Sequence, residues 1–151
     1  MLVGHHNILK LLKAKVEILD ICLLRQHERV DEKRLAELYE EIREDGLIKR
    51  AVAVDMNTYI IIDGHHRYNV LKSLGCKRVP AILVDYFSPI LKVYSWNGDE
   101  EISKTSVIEA GVSGKLFPAK TTKHMIYFSG RKFHISLLEP EVNISLSILK
   151  T

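Results

Sequence analysis

The sequence predicts an α+β fold with a mixed sheet, short helices and a β-rich C-terminus. Short β-branched runs alternate with brief helical patterns, without the regular rhythm of a doubly wound sheet. Glycines close the helical patterns early. Beyond Met125, apolar residues recur at every second position, as a half-buried strand requires. At 151 residues the chain suits one domain. We place that domain at 15–151, after an N-terminal arm or ragged helix at 1–14.

Val16, Ile18, Leu19 and Ile21 suggest a first strand, interrupted by the polar run Arg25-Gln26-His27-Glu28-Arg29. A helix follows: Asp31 can cap it, Leu35, Leu38, Tyr39 and Ile42 share one face, and Gly46 can stop it. Ala51 to Val54 and Tyr59 to Ile62 form a hairpin across Asp55-Met56-Asn57-Thr58. The next helix begins near His66, buries Val70, Leu71 and Leu74, and ends at Gly75; a buried strand entered through Pro80 runs over 79–84. Ile90 to Trp96 is a strand, with a turn at Asn97-Gly98-Asp99. Ser103 caps a helix limited by Gly111 and Gly114. In the C-terminal part Met125 to Phe128 is a strand. Phe133, Ile135 and Leu137 alternate, as do Val142, Ile144, Leu146 and Ile148, with turns near Ser129-Gly130 and Glu139-Pro140.

Composition narrows the function. Apolar residues at 46% and charged residues at 27% allow a core without a disulfide or metal staple. An excess of 22 Lys and Arg over 19 Asp and Glu predicts no general nucleic-acid or anionic-membrane surface. Cys22 and Cys76 stand apart, without zinc or redox spacing, and read as small core fillers in a reducing, cytoplasmic setting. Lys10, Lys13, Lys15 and Glu17 break the N-terminal leucine run before signal or membrane length.

The strongest motif is Ile60-Ile61-Ile62-Asp63-Gly64-His65-His66-Arg67-Tyr68, a glycine turn between a buried strand and a helix start. Gly64 lets backbone approach an anion, helix N-terminal amides point outward, and Arg67 can add a fork to phosphate oxygens. The plainer reading is a surface loop with solvated histidines. Lys120-Thr121-Thr122-Lys123-His124 offers cations, hydroxyls and amides to a phosphate chain, or is a solvated turn; it gains meaning only beside Asp63 to Arg67. By itself, Glu28 reads as a solvated carboxylate, and Trp96, the one tryptophan, as core. His27, His65, His66 and His124 lack the spacing of a zinc site.

Taken together, Glu28 in "HE", "IIDGHHRYNVLKSLGCKRVPAILVDY", "VYSW" and "GKLFPAKTTKH" resemble the archaeal free-serine kinases of the ParB/sulfiredoxin-like superfamily, across about residues 15 to 128. The resemblance implies the compact ParB/sulfiredoxin-like domain and a kinase that phosphorylates the hydroxyl of free L-serine. The donor would be ADP or ATP, with Mg²⁺. By this resemblance Glu28 matches the catalytic base and Asp63 the metal and phosphate region with a part in catalysis. Gly64, His65, His66 and Arg67 match the first phosphate-binding stretch, and Lys120, Thr121, Thr122 and His124 the second. Trp96 matches the serine-pocket tryptophan. Longer family members insert a lobe where this chain has only 23 residues between Trp96 and Lys120.

Sulfiredoxin chemistry is disfavoured because His65 stands where those proteins place a cysteine. Gly64 and Arg67 also satisfy the Gly-x-x-Arg pattern of ParB partition proteins, but the β-patterned tail leaves little room for a helix-turn-helix. The competing function is therefore a non-catalytic nucleotide-binding module that switches a DNA or protein partner.

Overall fold

A computed structural model describes residues 4–98 and 100–151. Its architecture is the expected mixed α+β. Helix α1 (His5–Leu11) leads into β1 (Lys15–Asp20), and α2 (Glu32–Asp45) is followed by β2 (Leu47–Arg50), β3 (Val52–Asp55) and β4 (Ile61–Asp63). Then come α3 (His65–Ser73), β5 (Arg78–Val84), β6 (Leu91–Ser95) and α4 (Lys104–Ser113). The chain closes with β7 (Thr122–Phe128), β8 (Arg131–His134), β9 (Glu141–Ser145) and α5 (Leu146–Leu149).

The central sheet has the order β1-β5-β3-β4, with β3 and β5 parallel and the outer pairs antiparallel. Pro80 opposes Ile18 of β1, and pairing with β3 begins only at Ala81, so the missing proline N–H falls outside that ladder. Strand periodicity sends alternate residues to opposite faces. Val52, Val54, Ala81 and Leu83 enter one core beneath α2 and α3, while Ala53, Ile82 and Val84 enter a second core with α1, α4 and β6–β8. The N-terminal segment is thus a packed helix at 5–11: Ile8 and Leu12 are buried in the second core.

Local chemistry explains the boundaries. Asp31 accepts from the amides of Lys33 and Arg34 and caps α2, which Gly46 ends in the left-handed region. Ser103 caps α4 by accepting from Ser106. Gly111 does not limit that helix. It lies inside α4, where a Cβ would stand 2.6 Å from Ile60 Cδ1, so its small size serves close packing. Cys76 is buried as expected, but Cys22 is exposed.

The predicted C-terminal alternation is overturned in two places. Residues Ile135–Leu138 form a 3₁₀ turn, and Leu146–Leu149 form α5. Before each turn a side chain captures a free amide: His134 accepts from Ser136 N–H, and Ser145 accepts from Ser147 N–H. Burial then follows i,i+3 spacing, at Ile135 with Leu138 and at Leu146 with Leu149, leaving Leu137 and Ile148 exposed. Asp99 of the predicted turn lies outside the described residues.

Candidate active site

The cleft is assembled from four separate segments. His27-Glu28-Arg29 is zipped to Phe117: Phe117 N–H donates to the His27 carbonyl at 2.9 Å, and Arg29 N–H donates to Phe117 at 2.8 Å. The end of β4 turns through Gly64 into α3. Trp96 follows β6, and Lys120 to Thr122 enter β7. Together they enclose a hollow of about 630 Å³, lined by Glu28, Asp63, Gly64, His65, His66, Trp96, Lys120 and Thr122. That volume suits a small ligand. Asn97 and His134 complete the Trp96 side. Glycine is needed at 64: its φ is +108°, and a Cβ there would lie 2.5 Å from Val52 Cγ1.

Glu28 is half-buried. Its Oε1 accepts from the Thr122 amide at 2.7 Å and contacts the Thr122 hydroxyl at 2.7 Å. Burial pushes the carboxyl above its ordinary range, against the pull of hydrogen bonds from Thr122 and from the Thr121 and Lys120 amides. The second stretch therefore spends part of its donor capacity on Glu28. Thr121 donates its hydroxyl to the Pro118 carbonyl, and Lys120 pairs with Asp31 at 3.2 Å.

Both α3 histidines act as acceptors. His65 Nε2 receives the His27 amide at 3.1 Å, and His66 Nε2 receives the Asp31 amide at 3.0 Å, which ties the start of α2 to the start of α3. An accepting nitrogen carries no proton, so these rings are neutral with hydrogen on Nδ1. Burial holds both below the ordinary imidazole value, His65 well below it. His124 does not line the cleft; it is buried, 2.9 Å from the Tyr86 hydroxyl and edge-on to His27. Trp96 is not core. It is 51% exposed, donates Nε1–H to the Thr122 carbonyl, stacks near His134 and lies under Lys123 at 5.1 Å.

Arg67 sits beyond Gly64, between this cleft and a second hollow of about 450 Å³ that shares Asp63 with it. Its guanidinium is engaged within the fold. Nη1 donates to the Ala51 carbonyl at 2.7 Å, and Nη2 contacts Glu139 at 2.8 Å and Asp63 at 3.4 Å. Glu139 is buried, which together with the nearby Asp63 carboxylate pushes its carboxyl well above the ordinary range despite Arg67, and its Oε2 meets no hydrogen-bond donor among the described residues. Arg67→Lys is expected to cost about 1–3 kcal/mol of stability, because an ammonium cannot span carbonyl and carboxylate acceptors as the fork does. Denaturant unfolding checks that value, and calorimetry with nucleotide shows whether Arg67 also binds ligand; unchanged values in both would leave it no role.

The N-terminal half of the chain decides the family: residues 6–90 match the ParB N-terminal domain. The chain belongs to that family. Within it, the chain is 37% identical over 83 residues to an ATP-dependent L-serine kinase of Staphylothermus marinus, covering 52% of this chain and 33% of that protein. It is 34% identical over 90 residues to an ADP-dependent L-serine kinase of Thermococcus kodakarensis, covering 56% and 36%. A ParB-like protein of Sulfolobus acidocaldarius is 42% identical over 74 residues, covering 49% and 37%. The chain thus spans about a third of the length of these curated relatives. A solved free serine kinase in complex with AMP shares the fold of this ParB-family chain, with a TM-score of 0.73 at 17% identity over 89% of this chain and 93% of that one. Among the described residues no helix is long and apolar enough to cross a membrane.

Sequence reasoning missed His134 and Glu139, and it weighed His27 only as a zinc ligand and as the neighbour of Glu28. His134 and Glu139 lie in the tail, where no local motif marks them.

Proposed function

We propose that this ParB-family chain is a nucleotide-dependent kinase that phosphorylates the hydroxyl of free L-serine to O-phosphoserine, with ADP or ATP as donor. The convergence of Glu28, the Gly64–His66 helix start and Trp96 on one cleft carries this reading. A kinase needs an acceptor hydroxyl beside a base and a phosphate chain held by fixed dipoles, since positioning and electrostatics supply most of the catalysis. Glu28 accepts the hydroxyl proton. The amides at the start of α3 hold the phosphates with His66 Nδ1–H and Lys120, while Arg67 keeps the Gly64 turn beside them. Thr121, Thr122, His65 and His124 support these groups from behind. Trp96 covers the acceptor. The hollow beyond Asp63, with Leu38, Ile42 and Ile48 in its wall, receives the nucleoside.

Asp63 is suited to magnesium in one way. Asp63, which with Glu28 is one of two carboxylates lining the cleft, fits an ion held mainly by phosphates and water, and no cluster of three or more ligating side chains occurs among the described residues. Bound there, the ion would neutralise charge on the phosphate oxygens. Asp63 and the α3 amides then fix the donor end, leaving the acceptor end to Glu28 and Trp96.

The test is mass spectrometry with ADP and ATP separately, against free amino acids and small alcohols. Phosphoserine appearing as nucleotide is consumed supports the kinase. Saturable nucleotide binding without any product would instead support the non-catalytic module.

A further inference from the structure

We infer that Thr122 and the buried His27 form a hydrogen-bond row behind Glu28 that favours its protonated form, which makes both of them positioning residues for the base. The catalytic consequence rests on the kinase reading. The chemistry of the row does not.

The row has three contacts. His27 Nδ1 lies 2.7 Å from the Ile61 carbonyl, His27 Nε2 lies 2.9 Å from Thr122 Oγ1, and Thr122 Oγ1 lies 2.7 Å from Glu28 Oε1. Each needs one hydrogen. A neutral imidazole supplies one, the hydroxyl supplies one, and an ionised carboxylate supplies none. The Ile61 carbonyl can only accept, so His27 carries its hydrogen on Nδ1 and presents a lone pair at Nε2. The Thr122 hydroxyl must then donate to His27. This leaves two oxygens facing each other at 2.7 Å with no hydrogen between them while Glu28 is ionised. One further proton on Glu28 fills the gap.

Burial makes the deficit matter, because an unmade bond away from water is costly. His27 is fully buried and Thr122 nearly so. Burial also holds His27 down to about 4, so the added proton rests on the carboxyl and not on the ring. The other groups facing this pair do not supply the missing hydrogen. His65 and His124 pack edge-on against His27, Lys120 is paired with Asp31, and Asp63 and His66 stand elsewhere around the cleft. The Thr122 amide donates to the same Oε1, and the Thr121 and Lys120 amides also favour the ionised carboxylate, so these amides oppose the effect.

In the reaction, the acceptor oxygen bonds to phosphorus as the bond from phosphorus to the departing nucleotide oxygen breaks. The hydroxyl proton passes to the Glu28 carboxylate. A half-turn of the carboxyl group carries it to the Thr122 side, where it completes the row. Proton acceptance thereby repairs a buried defect and strengthens the base.

The experiment is a ¹³C NMR titration of the Glu28 carboxyl, assigned by its loss in Glu28→Gln. In Thr122→Val the midpoint should fall by about one pH unit, tenfold in proton affinity, whereas Thr122→Ser should keep the wild-type midpoint. A rise in Thr122→Val would mean the hydroxyl donates to ionised Glu28, and that result or an unmoved midpoint overturns the inference. Wild-type protein gives a second reading that needs no variant. The ¹⁵N spectrum at neutral pH should show His27 protonated on Nδ1 and bare on Nε2; the opposite tautomer or an imidazolium overturns the row. Failure of the kinase reading would look different: no phosphoserine forms, while the titration still shifts.

Discussion

Glu28→Gln is expected to give a folded protein that still binds nucleotide but makes phosphoserine about 10²- to 10⁴-fold more slowly, the usual cost of losing a general base. The variant keeps the side-chain volume and an oxygen that can accept the Thr122 amide, so the contact at 2.7 Å survives. What it removes is the basic lone pair. A carboxyl held high by burial is a stronger base than a solvated one, which is why this position should matter more than its exposure alone suggests. If Glu28 were only a carboxylate ahead of α2, turnover would be near normal. A steeper magnesium requirement with turnover retained would instead make Glu28 a metal-shell residue. Steady-state rates across a magnesium series, with nucleotide affinity measured alongside, separate these results. Wild-type rates at every magnesium level would remove both functional roles.

The parts of this fold that were legible in the sequence are those fixed by local chemistry. Asp31 and Gly46 bracket α2 because a cap and a left-handed stop act on their own neighbours. The β3–β4 hairpin and the Gly64 turn were visible for the same reason. The tail was misread because three alternating apolar residues fit a strand as well as two ends of a short turn, and only burial tells them apart. The site was legible as residue types but not as states. Histidines beside a glycine turn look cationic in a sequence, yet His65 and His66 are held neutral by amides of His27 and Asp31, which come from 38 and 35 positions away. Arg67 looks like a free fork until Glu139, 72 positions on, is brought against it. Such pairings depend on long-range register, which local patterns do not encode.

Gly64→Ala is expected to cost about 2–5 kcal/mol of folding stability, the sum of left-handed strain and overpacking. The strain arises because φ is +108°, which an L side chain rarely adopts. The overpacking arises because the new methyl would lie 2.5 Å from Val52 Cγ1 and 2.8 Å from Val52 Cβ. Val52 cannot yield easily: it is 1% exposed, β-branched and fixed opposite Ala81 in the central sheet. Relief must come from moving the first turn of α3, which re-aims the amides at His65 and His66, so nucleotide affinity should fall with stability. Gly114→Ala is the control, since it shares a positive φ but has nothing within 4 Å of the added carbon. It should cost about 1 kcal/mol and leave nucleotide binding unchanged. The closest part of the clash is tested by combining Gly64→Ala with Val52→Ala, which removes Cγ1 and keeps Cβ. The pair should destabilise less than the sum of the singles, by about 1–2 kcal/mol, as expected for residues in contact. Denaturant midpoints for the four variants measure this coupling. Strict additivity, or a Gly64→Ala protein as stable as Gly114→Ala, would show that the turn is not held against Val52.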